Sequence, residues 1–197
     1  MNVLLLGGSP SAPSSSWRLQ QLVGARLAAL GHRTRALQVR DLPAQALLRA
    51  DTSDPAILDA VARVREADAI VVGTPVYKAS FSGVFKVFLD LLPQDGLAGK
   101  LVLPLATGGS QSHMLALDYA LRPVLASLAP RHILPSIYAT AAQLPWDADR
   151  GVLPVAAIAA RIDAGVEQLA HELEGALLRK AAGSLSALAP ASATISA

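Results

Sequence analysis

Cysteine is absent from this chain of 197 residues. That excludes disulfides, thiol catalysis, iron–sulfur ligation and every cysteine-based zinc site. Histidine is scarce as well. His32, His113, His132 and His171 are scattered, and no two stand at metal-ligand spacing. Charge is low, at 16% of residues, and the net charge is only +2 although the pI is near 9.2. No run of Lys or Arg exists, so the clustered basic footprint of a nucleic-acid binder is missing. Pro, Gly or charge breaks every apolar run well short of the roughly 18 residues that a membrane span needs. Leu4–Leu6 lacks a basic segment before it and ends at Gly7-Gly8, so it reads as a strand and not as a leader. These absences predict a cytoplasmic protein with neither nucleic acid nor membrane as partner.

What the chain has is apolar bulk, 52% of residues. A chain this long buries roughly 70% of its unfolded surface and needs no staple. The apolar periods alternate along it. Val3–Gly7, Arg33–Val39, Ala69–Thr74, Leu101–Ala106 and Ile133–Ala139 read as strands. Trp17–Leu30, Asp54–Glu66, Ser82–Leu92, His113–Leu128 and Val155–Lys180 read as helices, and Asp54-Pro55 is a cap signal. Thr140–Gly151 reads as a long loop. Strict alternation predicts an α/β three-layer sandwich with a parallel sheet and right-handed crossovers. Five strands favour the flavodoxin-like order 2-1-3-4-5, with ligand sites at the carboxyl ends of the strands. One domain is expected over 1–180. The Ala/Ser-rich stretch 181–197 has little to bury and is expected to be a mobile tail.

That topology directs attention to three loops. Gly8 to Ser16 joins strand one to helix one and carries Ser9, Ser11, Ser14, Ser15 and Ser16. Free N–H groups at a helix start, with hydroxyls around them, suit a phosphate monoester. The Gly-Lys-Ser/Thr of a P-loop and the Gly-x-Gly-x-x-Gly of a dinucleotide fold are both missing. The second loop, Thr74 to Gly83, holds Pro75, Val76, Tyr77 and Lys78. Its backbone N–H groups are free to meet the edge of a flat polar ring, and Tyr77 can wall a planar ligand. The third, Thr107-Gly108-Gly109-Ser110, allows close backbone approach. No Gly-x-Ser-x-Gly elbow and no acid–base pair accompany them. Lys86 and Asp90 are spaced as a surface helix pair. A site without reactive side chains suits a cofactor that brings its own chemistry. Further along, Pro123 lies inside a helical pattern and cannot donate to the carbonyl of Tyr119. A kink or π-bulge is the expected relief.

Gly8-Ser9-Pro10, the run Thr74–Gly83, Leu89–Pro93 and Leu101–Gly109 together resemble the NADPH-dependent FMN reductase family. The likeness is to the flavin reductases of two-component alkanesulfonate monooxygenase systems and runs collinearly over about 2–180. It implies FMN and NADPH, with NADH possible, as cofactors. The resemblance places the FMN phosphate on Ser9, Ser14, Ser15 and Ser16 and the isoalloxazine edge on Pro75–Lys78. Thr107–Ser110 would line the other side of the ring, and the nicotinamide would stack on the exposed flavin face and pass hydride to the flavin. It implies an FMNH2-dependent alkanesulfonate monooxygenase that takes up the reduced flavin when sulfur is scarce. It implies a homotetramer or homodimer, with Tyr119 on a π-helix at a subunit interface near the flavin. One residue departs from the pattern: Ser11 stands where family members often carry Arg, which removes a bidentate cation. Arg18, in the first helical turn, is the candidate substitute. Two other readings fit the same loops. One is a quinone or azo reductase that retains FMN, and the other is a flavodoxin-type electron carrier.

Overall fold

The structure, a computed structural model, describes residues 1–187. The chain begins with β1 (Asn2–Gly7), α1 (Ser15–Ala29) and β2 (Arg33–Gln38). A short helix α2 (Ala44–Leu48) precedes α3 (Pro55–Glu66). The Asp54 carboxylate caps α3 by accepting from the N–H groups of Ala56 and Ile57, and Pro55 occupies the first turn, where no donor is missed. Then come β3 (Ala69–Tyr77), a two-residue β4 (Ser80–Phe81), α4 (Gly83–Leu89) and β5 (Leu101–Gly108). The remainder is α5 (Arg122–Ala126), β6 (His132–Ile133), β7 (Ile137–Thr140), the hairpin β8 (Trp146–Asp147) and β9 (Gly151–Val152), and α6 (Ala156–Ala187). The expected tail 181–197 therefore starts inside α6, and 188–197 lie outside the described residues.

The sheet order is β2-β1-β3-β5-β6, with every pairing along that path parallel. This is the flavodoxin-like order. Seven strands build it instead of five, for two physical reasons. The last strand is split, because Pro135 has no N–H to place in the ladder. After Leu134 donates to Val102 the chain leaves β5 and rejoins it at Leu105↔Ile137, having used one residue more than β5 over the same stretch. That extra residue is a bulge. The other addition is β4, which folds back antiparallel on the end of β3.

Alternation along the strands divides the core. Leu4, Leu6, Ile70 and Val72 face Phe85, Phe88, Leu121 and Leu125 on one side. Val3, Leu5 and Val71 face Leu19, Val23 and Leu27 of α1 and Ile162 and Leu169 of α6 on the other. Each such side chain, fully buried, contributes about 1.5–3 kcal/mol. Both faces are covered, as a parallel sheet requires.

The expected helix His113–Leu128 is not continuous. Leu117–Leu121 is a π-helix, and Arg122 N–H donates five residues back, to Leu117. Pro123 follows in the first turn of α5. Pro123 cannot donate to the Tyr119 carbonyl four residues back, and the π turn falls at the point where that bond would have closed. Arg122 then ties this turn to the strand break. Its guanidinium donates to the carbonyls of Ile133 (3.2 Å) and Leu134 (3.1 Å). No helix among the described residues is long and apolar enough to cross a membrane.

Candidate functional site

The carboxyl ends of β1, β3 and β5 meet in an open cleft of about 300 Å³. Its walls are Ser9, Ser11, Pro13, Ser14 and Ser15 from the first loop, Pro75, Val76 and Tyr77 from the second, Thr107, Gly108 and Gly109 from the third, and Ala141. Three of the expected residues stand elsewhere. Ser16 is buried beneath the loop, with its hydroxyl 2.9 Å from that of Ser14. Lys78 sits exposed at a hairpin tip. Ser110 turns its carbonyl away, toward Tyr138.

In the first loop, Ser14 is the N-cap of α1, and its Oγ accepts from Trp17 N–H at 3.3 Å. Ser9 is buried, and its Oγ accepts from Ser11 N–H at 3.3 Å. No acidic residue lies in the first turn of α1. The uncapped N–H groups there and the helix dipole are therefore unopposed, which is what an anion requires. Arg40, just beyond β2, donates from Nη1 to the Ser11 carbonyl at 2.8 Å and holds the loop from outside. Nothing in the spacing of the sequence pointed to Arg40. The two residues are 29 apart and only the fold joins them.

The second loop is a tight hairpin. Tyr77 pairs with Ser80, and Lys78 and Ala79 turn the chain with φ of 49° and 62°. Two non-glycine residues in the left-handed region cost about 1–3 kcal/mol each. A turn of this hand favours Asn-Gly, so Lys-Ala carried no hairpin signal. Buried hydroxyls fasten the loop. Ser82 N–H donates to Thr74 Oγ1 at 3.1 Å, and Ser82 Oγ donates to the Gly8 carbonyl. Ser82 thereby joins the first loop to the second while capping α4.

The third loop needs Gly108. A Cβ there would lie 2.2 Å from Tyr138 Oη. Buried Tyr138 donates from that oxygen to the Ser110 carbonyl at 2.6 Å. Burial pushes its phenol pKa up, so it stays a donor. Gln143 accepts from Gln111 and from Thr140 N–H, both at 2.9 Å, and so binds the turn after β5 to the turn after β7.

Tyr77 is the one ionisable side chain among the cleft walls described. Among the described residues no group of three His, Asp or Glu could hold a metal ion. The cleft can therefore bind and orient, and redox chemistry must arrive with what it binds. Its donor set fits FMN. A helix start and hydroxyls lie at one end, and a backbone edge with a tyrosine wall lies at the other. Tyr119 stands apart from the walls, on the π turn, and is 79% exposed. The π turn packs on β4, so it lies behind the second loop.

Comparison with known proteins points to the same cofactor. Residues 1–144 match the family model described as NADPH-dependent FMN reductase. An FMN reductase (NADPH) of Pseudomonas putida is 47% identical over 74% of this chain and 74% of its own length. The Escherichia coli protein of the same name is 42% identical over 73% of this chain and 75% of its own length. The NADH-dependent FMN reductase SfnE of Pseudomonas putida is 37% identical over 92% of this chain and 98% of its own length. The crystal structure of an NADH:FMN oxidoreductase in its apo form superimposes with a TM-score of 0.79 at 39% identity, covering 87% of this chain and 89% of that one. The chain belongs to the NADPH-dependent FMN reductase family and is a flavin reductase that works with FMN and a reduced nicotinamide.

Proposed function

We propose that this protein reduces FMN as a substrate and releases it to a separate FMNH2-dependent monooxygenase that desulfonates organosulfonates. The observation that carries the reading is the phosphate end of the cleft. Hydroxyls and helix N–H groups line it, and no charged side chain stands among its described walls. Walls of neutral donors hold a dianion less tightly than a site lined by several guanidinium groups does. A loosely held flavin can leave once reduced.

In this reading Ser9, Ser11, Ser14 and Ser15 receive the phosphate, and Ser16 supports Ser14 from below. Backbone at Pro75, Val76 and Tyr77 meets the polar edge of the ring, with Tyr77 as a wall. Thr107, Gly108 and Gly109 line the opposite side. Bound FMN supplies the hydride acceptor. The cleft is open, so a nicotinamide from NADPH or NADH can reach the ring, and none of its walls has to donate or accept a proton. Met114, Leu115 and Tyr119, all large and exposed, are proposed to form part of a contact between copies in a homotetramer or homodimer. Tyr119 would then couple assembly to flavin release.

The test is the desalted, purified protein. Colourless protein whose turnover depends on added FMN, and whose reduced flavin passes an ultrafiltration membrane to a monooxygenase, is expected. Yellow protein that turns over quinone or azo acceptors without added flavin would contradict the proposal. Failure of NADPH and NADH alike to reduce the flavin would favour an electron carrier.

A further inference from the structure

Arg18 is the one guanidinium on the first two turns of α1. Its Cζ lies 4.2 Å from the centroid of the Trp146 ring. Stacking fixes the plane of the guanidinium and leaves its N–H edge unused. Among the described residues the Arg18 guanidinium makes no hydrogen bond or ion pair, and this ring is its one partner. The ring comes from far along the chain, on the β8–β9 hairpin. That hairpin is anchored where Leu153 N–H donates to Pro145, and Val152 packs with Trp17 against the core. The nearest acid in sequence, Asp147, is turned into its own loop, where it accepts from the N–H groups of Asp149 and Arg150. It does not neutralise Arg18.

Position gives this cation a purpose. Arg18 follows cleft-lining Ser14 and Ser15 by four and three residues, so it shares their face of the helix. Helix side chains lean toward the N-terminus, which aims Arg18 back over that first turn. A half-buried, pre-oriented guanidinium with idle donors beside a helix start is suited to a phosphate monoester.

We propose that Arg18, clamped by Trp146, recognises a phosphate monoester beside the serine loop, as a single cation next to otherwise neutral walls. The assignment rests on the flavin reading above and deepens it. Two ligands of that reading carry such a group: FMN at its 5′ end and NADPH on its ribose. The serine loop beside Arg18 favours FMN.

Binding of FMN and of riboflavin, followed by quenching of flavin fluorescence, tests the assignment in wild type, Arg18→Met, Arg18→Lys and Trp146→Ala, with KM for NADPH and NADH measured in parallel. Thermal melting checks that each variant is folded. Arg18→Met is expected to weaken FMN about tenfold and to leave riboflavin unchanged. Arg18→Lys should recover part of the loss, and Trp146→Ala should show a smaller loss of the same kind. A collapse of the NADPH-over-NADH ratio with the FMN-over-riboflavin ratio intact would support the assignment with the nicotinamide cofactor as the phosphate source. Both ratios unchanged in folded Arg18→Met would overturn it while leaving the flavin reading standing. Wild-type protein that binds no FMN would overturn that reading and the assignment together.

Discussion

The two ends of the sheet are finished in different ways. At the amino end a long side chain closes the structure. Lys100 is buried and donates from Nζ to the carbonyls of Arg65 (2.7 Å) and Ala67 (2.8 Å), which completes the last turn of α3. Asp68 accepts from Asn2 N–H at 2.9 Å beside it. At the carboxyl end the buried polar groups are the hydroxyls of Ser9, Ser14, Ser16, Thr74, Ser82, Thr107 and Thr140, with the amide of Gln38 beside Gly7 at the end of β2. The hydroxyls tie loops to one another and leave backbone N–H groups at the cleft. One end uses its polar groups up on the fold, whereas the other keeps donors available for a ligand. Stability and binding should therefore respond to different residues.

Four substitutions can break or sharpen that contrast. Lys100→Met leaves buried carbonyls without a donor and should cost about 2–4 kcal/mol in urea denaturation. FMN affinity of the folded fraction should not change, and a matching loss of affinity would erase the contrast. Ser82→Ala removes the cap of α4 and the bond to Gly8 together. It should cost about 1.5–2 kcal/mol and also weaken FMN several-fold by equilibrium titration, because both loops lose their common tie.

Tyr138→Phe removes one bond to Ser110 and should cost about 1 kcal/mol. Here pH adds a check. The folded phenol pKa lies above its ordinary value of 10.0. Tyr138 thus contributes fully below that ordinary value, and its contribution is lost as pH rises through the raised one. The stability gap between wild type and Tyr138→Phe should be flat from neutral pH to about 10 and shrink above it. Tyr119→Ala is the smallest case for stability, within about 0.5 kcal/mol, because the ring is exposed. Sedimentation or flavin retention should change nonetheless. Neither changing would remove Tyr119 from the account.

The sequence made some of this legible and hid the rest. Buried parallel strands stand out as continuous apolar runs, so the sheet order and the three loops could be read directly. The π turn was readable too, because Pro123 lacks a donor at a calculable distance. The split of the last strand was missed, since Ile133–Ala139 keeps its apolar character across Pro135. The hairpin at Lys78-Ala79 was missed because the strain there goes against turn preference. Helix α2 and the β8–β9 hairpin are too short to show a period. Within the site, the serines and glycines were visible as composition. Their supports Tyr138, Arg40 and Trp146 were not, because each reaches its partner only across the folded core or a distant loop.

The most direct test of the central claim is anaerobic stopped-flow reduction with NADPH and with NADH, in the absence and presence of FMN. Nicotinamide oxidation that is negligible without FMN, rises with it and saturates is the result predicted. Oxidation that does not respond to added FMN would contradict the account.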